Sequence, residues 1–214
     1  MIIKDVMTKN PVCIDEDMTI TEAKQLMMKH KFSKLPVLDS SKKLVGIITK
    51  NDIQKVSPSE ATTLDVYEIS YLLSKLTCKK FMTKKVITVD ENQVVEEVAR
   101  IMVDSAIGCV PVMRNGVIVG IITESDLFQL FTDMFGARYR GVRANFGQPD
   151  EPGEFAKIVE KIAEFKGNIV SVVTRESKVP GQRRITLKAT DLTIEQMTSI
   201  LNGSGAEIFD VRIV

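Results

Sequence analysis

Two threonine–carboxylate pairs, Thr49 with Asp52 and Thr123 with Asp126, stand where an apolar run gives out: Gly46-Ile47-Ile48 before the first, Gly120-Ile121-Ile122 before the second. A strand that ends on threonine and turns into a helix brings a carboxylate three residues on into the same corner. There the carboxylate can accept two hydroxyl hydrogen bonds, and the helix N-terminus favours an anion. The same residue types also cap helices, and spacing alone admits both uses. Sets that could do covalent chemistry are missing. The one histidine, His30, has no nucleophile or orienting partner in its motif and suits a helix C-terminus. Neither G-x-G-x-x-G nor a P-loop occurs, and Gly203-Ser204-Gly205 reads as a turn. Cys13, Cys78 and Cys109 form no C-x-x-C pair, which suggests no zinc site, no disulfide framework, and a reducing, cytoplasmic setting.

The two corners belong to a repeat. Val6-Met7-Thr8-Lys9 recurs as Phe81-Met82-Thr83-Lys84, Ile14-Asp15 as Val89-Asp90, and Leu35-Pro36-Val37 as Val110-Pro111-Val112. After a one-residue gap, Gly46-Ile47-Ile48-Thr49 recurs as Gly120-Ile121-Ile122-Thr123. Each copy reads as β-α-β-β-α. A short strand (Val12 to Ile14; Val86 to Val89) leads into a helix, which Thr19 and Glu22 open as a capping box in the first copy. Ile20, Ala23, Leu26 and Met27 form its stripe, and Val95, Val98, Ile101 and Met102 form the second. Two strands follow, Leu35 to Leu38 and Leu44 to Thr49, then Val110 to Met113 and Val117 to Thr123, the latter pair turned by Asn115-Gly116. A helix then starts near Asp52 and near Asp126. Between the copies, Ser57-Pro58 with Leu64, Tyr67, Tyr71, Leu72 and Leu76 at helical spacing predicts an ordered helical insertion.

From about Tyr139 the order becomes βαββαβ, a ferredoxin-like arrangement. The strands lie at Gly141 to Gly147, Ile169 to Thr174, Arg184 to Ala189 and Glu207 to Val214. One helix carries Phe155, Ile158, Val159 and Ile162, ended by Gly167-Asn168 as αL-tolerant residues; the other carries Ile194, Met197, Ile200 and Leu201. The expected fold class is therefore α/β (α+β). With 29 basic and 28 acidic residues, the balanced charge gives no pull toward nucleic acid or anionic membrane. Lys42-Lys43, Lys79-Lys80 and Lys84-Lys85 read as solvated loop charge. No apolar run reaches the ~20 residues of a membrane span.

Met-Thr, a capped helix, h-P-V and G-h-h-T-x-x-D, twice over, resemble the CBS motif. The resemblance implies a tandem pair enclosing a cleft for an adenine nucleotide or adenosyl compound: AMP, ADP, ATP or S-adenosylmethionine. It assigns Thr49 and Asp52 to one ribose site and Thr123 and Asp126 to the other. It places Lys34, just before Leu35-Pro36, against phosphate, with Lys50 a second candidate; Gly108 and Cys109 stand at the matching place in the second copy, so the sites are expected to be unequal. Asp150-x-Pro152-Gly153-x-Phe155 with Gly167-Asn168-Ile169 resembles an ACT domain, which implies amino-acid or small-acid contacts at Asp150, Gly153, Asn168 and Ile169. The same loop could only shape a turn. The expected domains are CBS repeats at 1–56 and 78–135, the insertion at 57–77, and ACT at 139–214. The whole order resembles bacterial acetoin-utilisation proteins, and implies a non-catalytic regulator, a homodimer or larger, with no metal and an unidentified protein target. Two alternatives stand beside it: an amino-acid sensor whose CBS pair only dimerises, and an enzyme of unrecognised type.

Overall fold

Thr19 opens the first helix as its residues require. Its hydroxyl accepts from the Glu22 amide at 3.2 Å, and the Glu22 carboxylate accepts from the Thr19 amide at 3.0 Å. The computed structural model describes residues 1–56 and 75–214; the expected insertion, with Leu64, Tyr67, Tyr71 and Leu72, falls almost wholly outside them. The described chain divides into two compact units, Met1–Leu127 and Phe128–Val214.

In the first unit, copy one runs β2 (Ile14–Asp15), α1 (Ile20–His30), β3 (Lys34–Leu38), β4 (Leu44–Thr49) and α2 (Lys50–Val56). It follows a short 3-10 turn at Ile3–Asp5 and β1 (Thr8–Lys9). A short helix α3 (Cys78–Phe81) precedes copy two: β5 (Val89–Asp90), α4 (Val95–Asp104), β6 (Cys109–Arg114), β7 (Val117–Thr123) and α5 (Glu124–Met134), of which the unit takes in only the first turn. The apolar stripes face inward as their spacing requires: Ile20, Ala23 and Met27 are buried on α1, and Val95, Val98 and Met102 on α4. Asn115 (φ 50°) and Gly116 (φ 79°) both take the left-handed conformation that a two-residue type I′ hairpin needs. The first hairpin instead has a longer turn, held by Asp39 Oδ1 accepting from the amides of Ser41 and Lys43 at 2.9 Å. The strands expected at 12–14 and 86–89 pair only at their ends, through Ile14–Asp15 with β3 and Val89–Asp90 with β6.

The lead-in of each copy folds onto the other copy. β1 pairs antiparallel with β7, Thr8 opposite Ile121 and Lys9 opposite Gly120. Reciprocally, Thr83 and Ile47 exchange both backbone hydrogen bonds, at 2.9 and 3.0 Å. The amides of Ile3 and Lys4 donate to Gln93 and Glu91, and those of Cys78 and Lys79 donate to the equivalent Met18 and Glu16. The repeated Met-Thr and Gly-h-h-Thr motifs are thus two halves of one contact. Met7 lies on Gly120 and Met82 on Gly46, each sulfur so close that a Cβ on the glycine would sit 2.2 or 2.3 Å from it. Cys78 and Met82 are buried in the core of copy one. Neither copy is complete alone.

A lead-in lysine meets a carboxylate at this seam. Lys79, part of the supposed loop charge but actually on α3, pairs with Glu16 at 2.7 Å. The equivalent Glu91 is 7% exposed, and both its oxygens accept from Arg114. The Arg114 guanidinium holds the Glu91 carboxyl below its usual range. A depressed folded-state pKa contributes stability that is present above the ordinary glutamate value, about 4.3, and lost as pH falls through the lowered one. Glu91→Gln should therefore flatten the fall of the urea midpoint between about pH 5 and pH 2. A slope equal to that of the parent protein would show that the pair does not couple to folding.

In the second unit, β8 (Val142–Pro149), α6 (Glu154–Glu164), β9 (Asn168–Glu176), β10 (Gln182–Thr190), α7 (Ile194–Gly203) and β11 (Glu207–Ile213) build an antiparallel sheet in the order β11-β8-β10-β9. Ile158 and Ile162 of α6 and Met197 and Leu201 of α7 pack with Phe146 and Leu187 on one sheet face. A second capping box, Thr193 with Gln196, opens α7. Helix α6 does not end on Gly167-Asn168: Lys166 takes the left-handed turn (φ 58°), and Asn168 already belongs to β9. Gly167 is needed for space, since a Cβ there would lie 2.7 Å from Leu192.

Candidate functional site

Both threonine–aspartate corners have the same geometry. Asp52 Oδ2 accepts from the Thr49 amide at 2.9 Å and hydroxyl at 2.7 Å. Asp126 Oδ2 accepts from the Thr123 amide and hydroxyl, both at 2.7 Å. Each aspartate amide points back at its threonine hydroxyl, at 3.3 and 3.4 Å. These are reciprocal capping boxes on α2 and α5, so the capping use is real. It consumes only one oxygen of each carboxylate. Among the described residues, Asp52 Oδ1 has Lys55 at 4.0 Å, and Asp126 Oδ1 has only a long 3.4 Å contact from the Thr8 hydroxyl. A carboxylate fixed through one oxygen, with the other offered outward, is a preorganised acceptor for hydroxyl groups.

The exchanged lead-in decides what surrounds each corner. A cavity of about 270 Å³ is lined by Thr8, Pro11 and Val12 of the first lead-in, Lys31 to Pro36 of the turn and strand β3, and Ile121 and Thr123 of copy two. Asp126 bonds to two of its lining residues, Thr8 and Thr123. Lys34 is cross-strand from Thr49, as its position before Leu35-Pro36 implies. Its side chain nevertheless crosses the seam: Nζ donates to the carbonyl of Gly108 in copy two, and Lys34 shares the cavity with Thr123. The basic group expected beside Asp52 thus reaches the cavity that Thr123 lines. Lys50 lines a different cavity, of about 610 Å³, with Lys24, Lys31, Phe32 and Ile53. His30 closes α1 and stacks on Phe32, ring centroids 5.4 Å apart.

Cys109 stands cross-strand from Thr123, where Lys34 stands from Thr49. Burial pushes its thiol pKa up, with Lys34 opposing and Glu124 adding. Glu124 escaped the sequence reading, although aligning Thr49-Lys50 with Thr123-Glu124 displays the charge reversal. Thr8, Pro11 and Val12 carried no signal, because nothing local reveals that they serve the other copy.

The four ACT positions do not come together. Pro149 pairs with Gln182, and Asn168 with Thr190, at opposite ends of β10. Along that strand the ends are roughly 25 Å apart, at about 3.3 Å per residue. Asp150 accepts a two-point ion pair from Arg183, both contacts at 2.9 Å, which holds its carboxyl below the usual range. Gly153 caps α6 at φ 90°, with open space around it. Asn168 is exposed, and Ile169 packs against the core. Near the Asp150 end, Gln148 Oε1 and Gln182 Oε1 are buried with no hydrogen-bond partner among the described residues. Among the described residues no cluster of side chains could hold a metal ion, and no helix is long and apolar enough to cross a membrane.

Two reciprocally completed β-α-β-β-α copies followed by a βαββαβ unit define a tandem CBS pair joined to an ACT-like domain. The chain belongs to the CBS domain family, which it matches over residues 3–59 and 78–133; residues 140–212 match the TTHA0829-like ACT domain. CBS-domain proteins are in general regulatory rather than catalytic. A solved CBS-domain pair in complex with 5′-methylthioadenosine and S-adenosyl-L-methionine is 33% identical, at a TM-score of 0.51, over 65% of this chain and 98% of its own. A putative acetoin utilization protein from Vibrio cholerae is 28% identical, at a TM-score of 0.54, over 64% of this chain and 95% of its own. The L-aspartate semialdehyde sulfurtransferase of Methanocaldococcus jannaschii is 34% identical over 131 residues, 61% of this chain. The chain spans only 23% of that enzyme, and 25% of the homoserine O-acetyltransferase of Methanococcus vannielii that it also matches.

Proposed function

We propose that this protein is a regulator that binds an adenine nucleotide or adenosyl compound in its CBS pair. Asp52 and Asp126 hold ribose hydroxyls, Thr49 and Thr123 fix those carboxylates, and Lys34 and Lys50 supply positive charge. The observation that carries the reading is that Asp126 bonds to Thr8 and Thr123, which line a cavity drawing its walls from both copies. The similarity to a pair that binds 5′-methylthioadenosine and S-adenosyl-L-methionine supports it. A ligand there spans the seam, so its binding energy acts on how the copies hold together, which is what a sensor requires. A thermal-shift series with adenosine, 5′-methylthioadenosine, S-adenosylmethionine, AMP, ADP and ATP tests it. A ligand at a hundred times its Kd adds about 2.7 kcal/mol to native-state stability. No rise of Tm with any of the six would end the reading.

The ACT unit we assign to an amino acid or small acid bound between two copies of the chain. Asp150 and Gly153 come from one protomer and Asn168 and Ile169 from its partner, because a single chain keeps them a sheet-length apart. The unpartnered Gln148 and Gln182 oxygens favour a ligand that brings donors, as an ammonium group does. The competing reading, a CBS pair that only dimerises the sensor, is favoured by the capping boxes alone. The similarity to the Vibrio cholerae protein supports a link to acetoin or central carbon metabolism.

A further inference from the structure

The two copies carry opposite charges at an equivalent position beside the threonine–aspartate corner. Lys50 follows Thr49 and Glu124 follows Thr123, and their amides make the same bond, Lys50 to the Ser33 carbonyl at 2.8 Å and Glu124 to the Gly108 carbonyl at 3.3 Å. The same backbone place therefore carries a cation in one copy and an anion in the other. Glu124 lies beside Lys34. A Cβ built on Gly108 would fall 2.6 Å from Lys34 Nζ and 2.7 Å from Glu124 Oε2, so both groups crowd one point that only a glycine leaves open. Lys34 already donates to the Gly108 carbonyl. Two carboxylates thus stand against lining residues of the cavity, Glu124 beside Lys34, and Asp126 bonded to Thr8 and Thr123.

We infer that Glu124 sets the ligand class of the Asp126 cavity, making it a site for adenosine compounds whose 5′ group is neutral or zwitterionic rather than phosphorylated. The inference rests on the adenosine reading above and narrows it. A phosphate dianion entering this cavity gains Lys34 only by taking it from Gly108, and it meets the Glu124 carboxylate as a like charge. A neutral thioether or a group with a cationic centre carries no such penalty. Like charges in close approach repel even in water, and several times more strongly near a protein surface. Since Glu124 is exposed, an effect of about tenfold on phosphate affinity follows.

The test is calorimetry on the full chain with 5′-methylthioadenosine and AMP, using the parent protein, Glu124→Gln and Glu124→Lys, each repeated with Asp126→Asn to identify the site. The expected result is tighter binding of 5′-methylthioadenosine than AMP in the parent protein. AMP affinity should rise about tenfold in Glu124→Lys and less in Glu124→Gln, with 5′-methylthioadenosine unchanged within about twofold. The AMP gain should vanish when Asp126→Asn is added. An AMP to 5′-methylthioadenosine ratio that is the same in all three backgrounds overturns the role of Glu124 while leaving the adenosine reading intact. Failure of both compounds to bind the parent protein overturns the two together.

Discussion

Asp126→Ala should weaken binding of an adenosine compound at the seam cavity by a hundredfold or more. Two hydroxyl hydrogen bonds to a carboxylate contribute roughly 1.5–3 kcal/mol each, and about 1.4 kcal/mol is a factor of ten. The substitution also removes half of the α5 capping box, which costs about 1 kcal/mol of folding stability whether or not anything binds. Asp126→Asn separates the two. Its amide oxygen can still accept from the Thr123 amide and hydroxyl, now 2.7 Å from Asp126 Oδ2. Its nitrogen then faces the cavity as a donor where an acceptor is needed. Stability near that of the parent protein, with binding lost to within a few-fold of the alanine variant, is the expected pattern. An asparagine variant that binds as tightly as the parent protein would leave Asp126 a helix cap and nothing more. Asp52→Asn, made in parallel, should leave the Lys34 cavity unaffected.

Much of this was written in the sequence, and what was hidden has one physical source. The strands Leu44–Thr49 and Val117–Thr123, the Thr19–Glu22 box and the Asn115-Gly116 turn are local, set by side-chain period and left-handed tolerance within a few residues. The repeat displayed both Thr-x-x-Asp corners, because a corner is local too. The partner of each lead-in is not. Thr8 is 118 residues from Asp126, and period and composition say nothing at that range. Lys34 shows the same limit: its strand is legible, but where a long side chain reaches depends on which chain lies beyond the strand end. Glu124 was passed over because a carboxylate after a threonine also suits a helix N-terminus. The ACT residues show the same limit. Asp150 and Asn168 flank one helix in sequence, yet a strand–helix–strand crossover returns the chain to the far end of the sheet.

Met7→Ala and Gly120→Ala should each destabilise the CBS pair, and together by clearly less than the sum. Met7 is 8% exposed and lies against Gly120, so truncating it leaves a cavity worth roughly 2–5 kcal/mol. A methyl on Gly120 would stand 2.2 Å from the Met7 sulfur and 3.0 Å from its Cγ, too near the middle of the side chain for a simple rotamer change to relieve. Overpacking of that kind costs roughly 1–3 kcal/mol. In the double variant the new methyl occupies part of the space the methionine vacates, so a coupling of about 1–3 kcal/mol should appear in a double-mutant cycle of urea unfolding. Met82→Ala with Gly46→Ala should repeat the result, since a methyl on Gly46 would stand 2.3 Å from the Met82 sulfur. Crossing the pairs, Met7→Ala with Gly46→Ala, should be additive within about 0.5 kcal/mol, because those residues meet in neither contact. Coupling in the crossed pair and additivity in the matched one would mean that each lead-in completes its own copy. In that case the walls of the Asp126 cavity could not include Thr8, Pro11 and Val12.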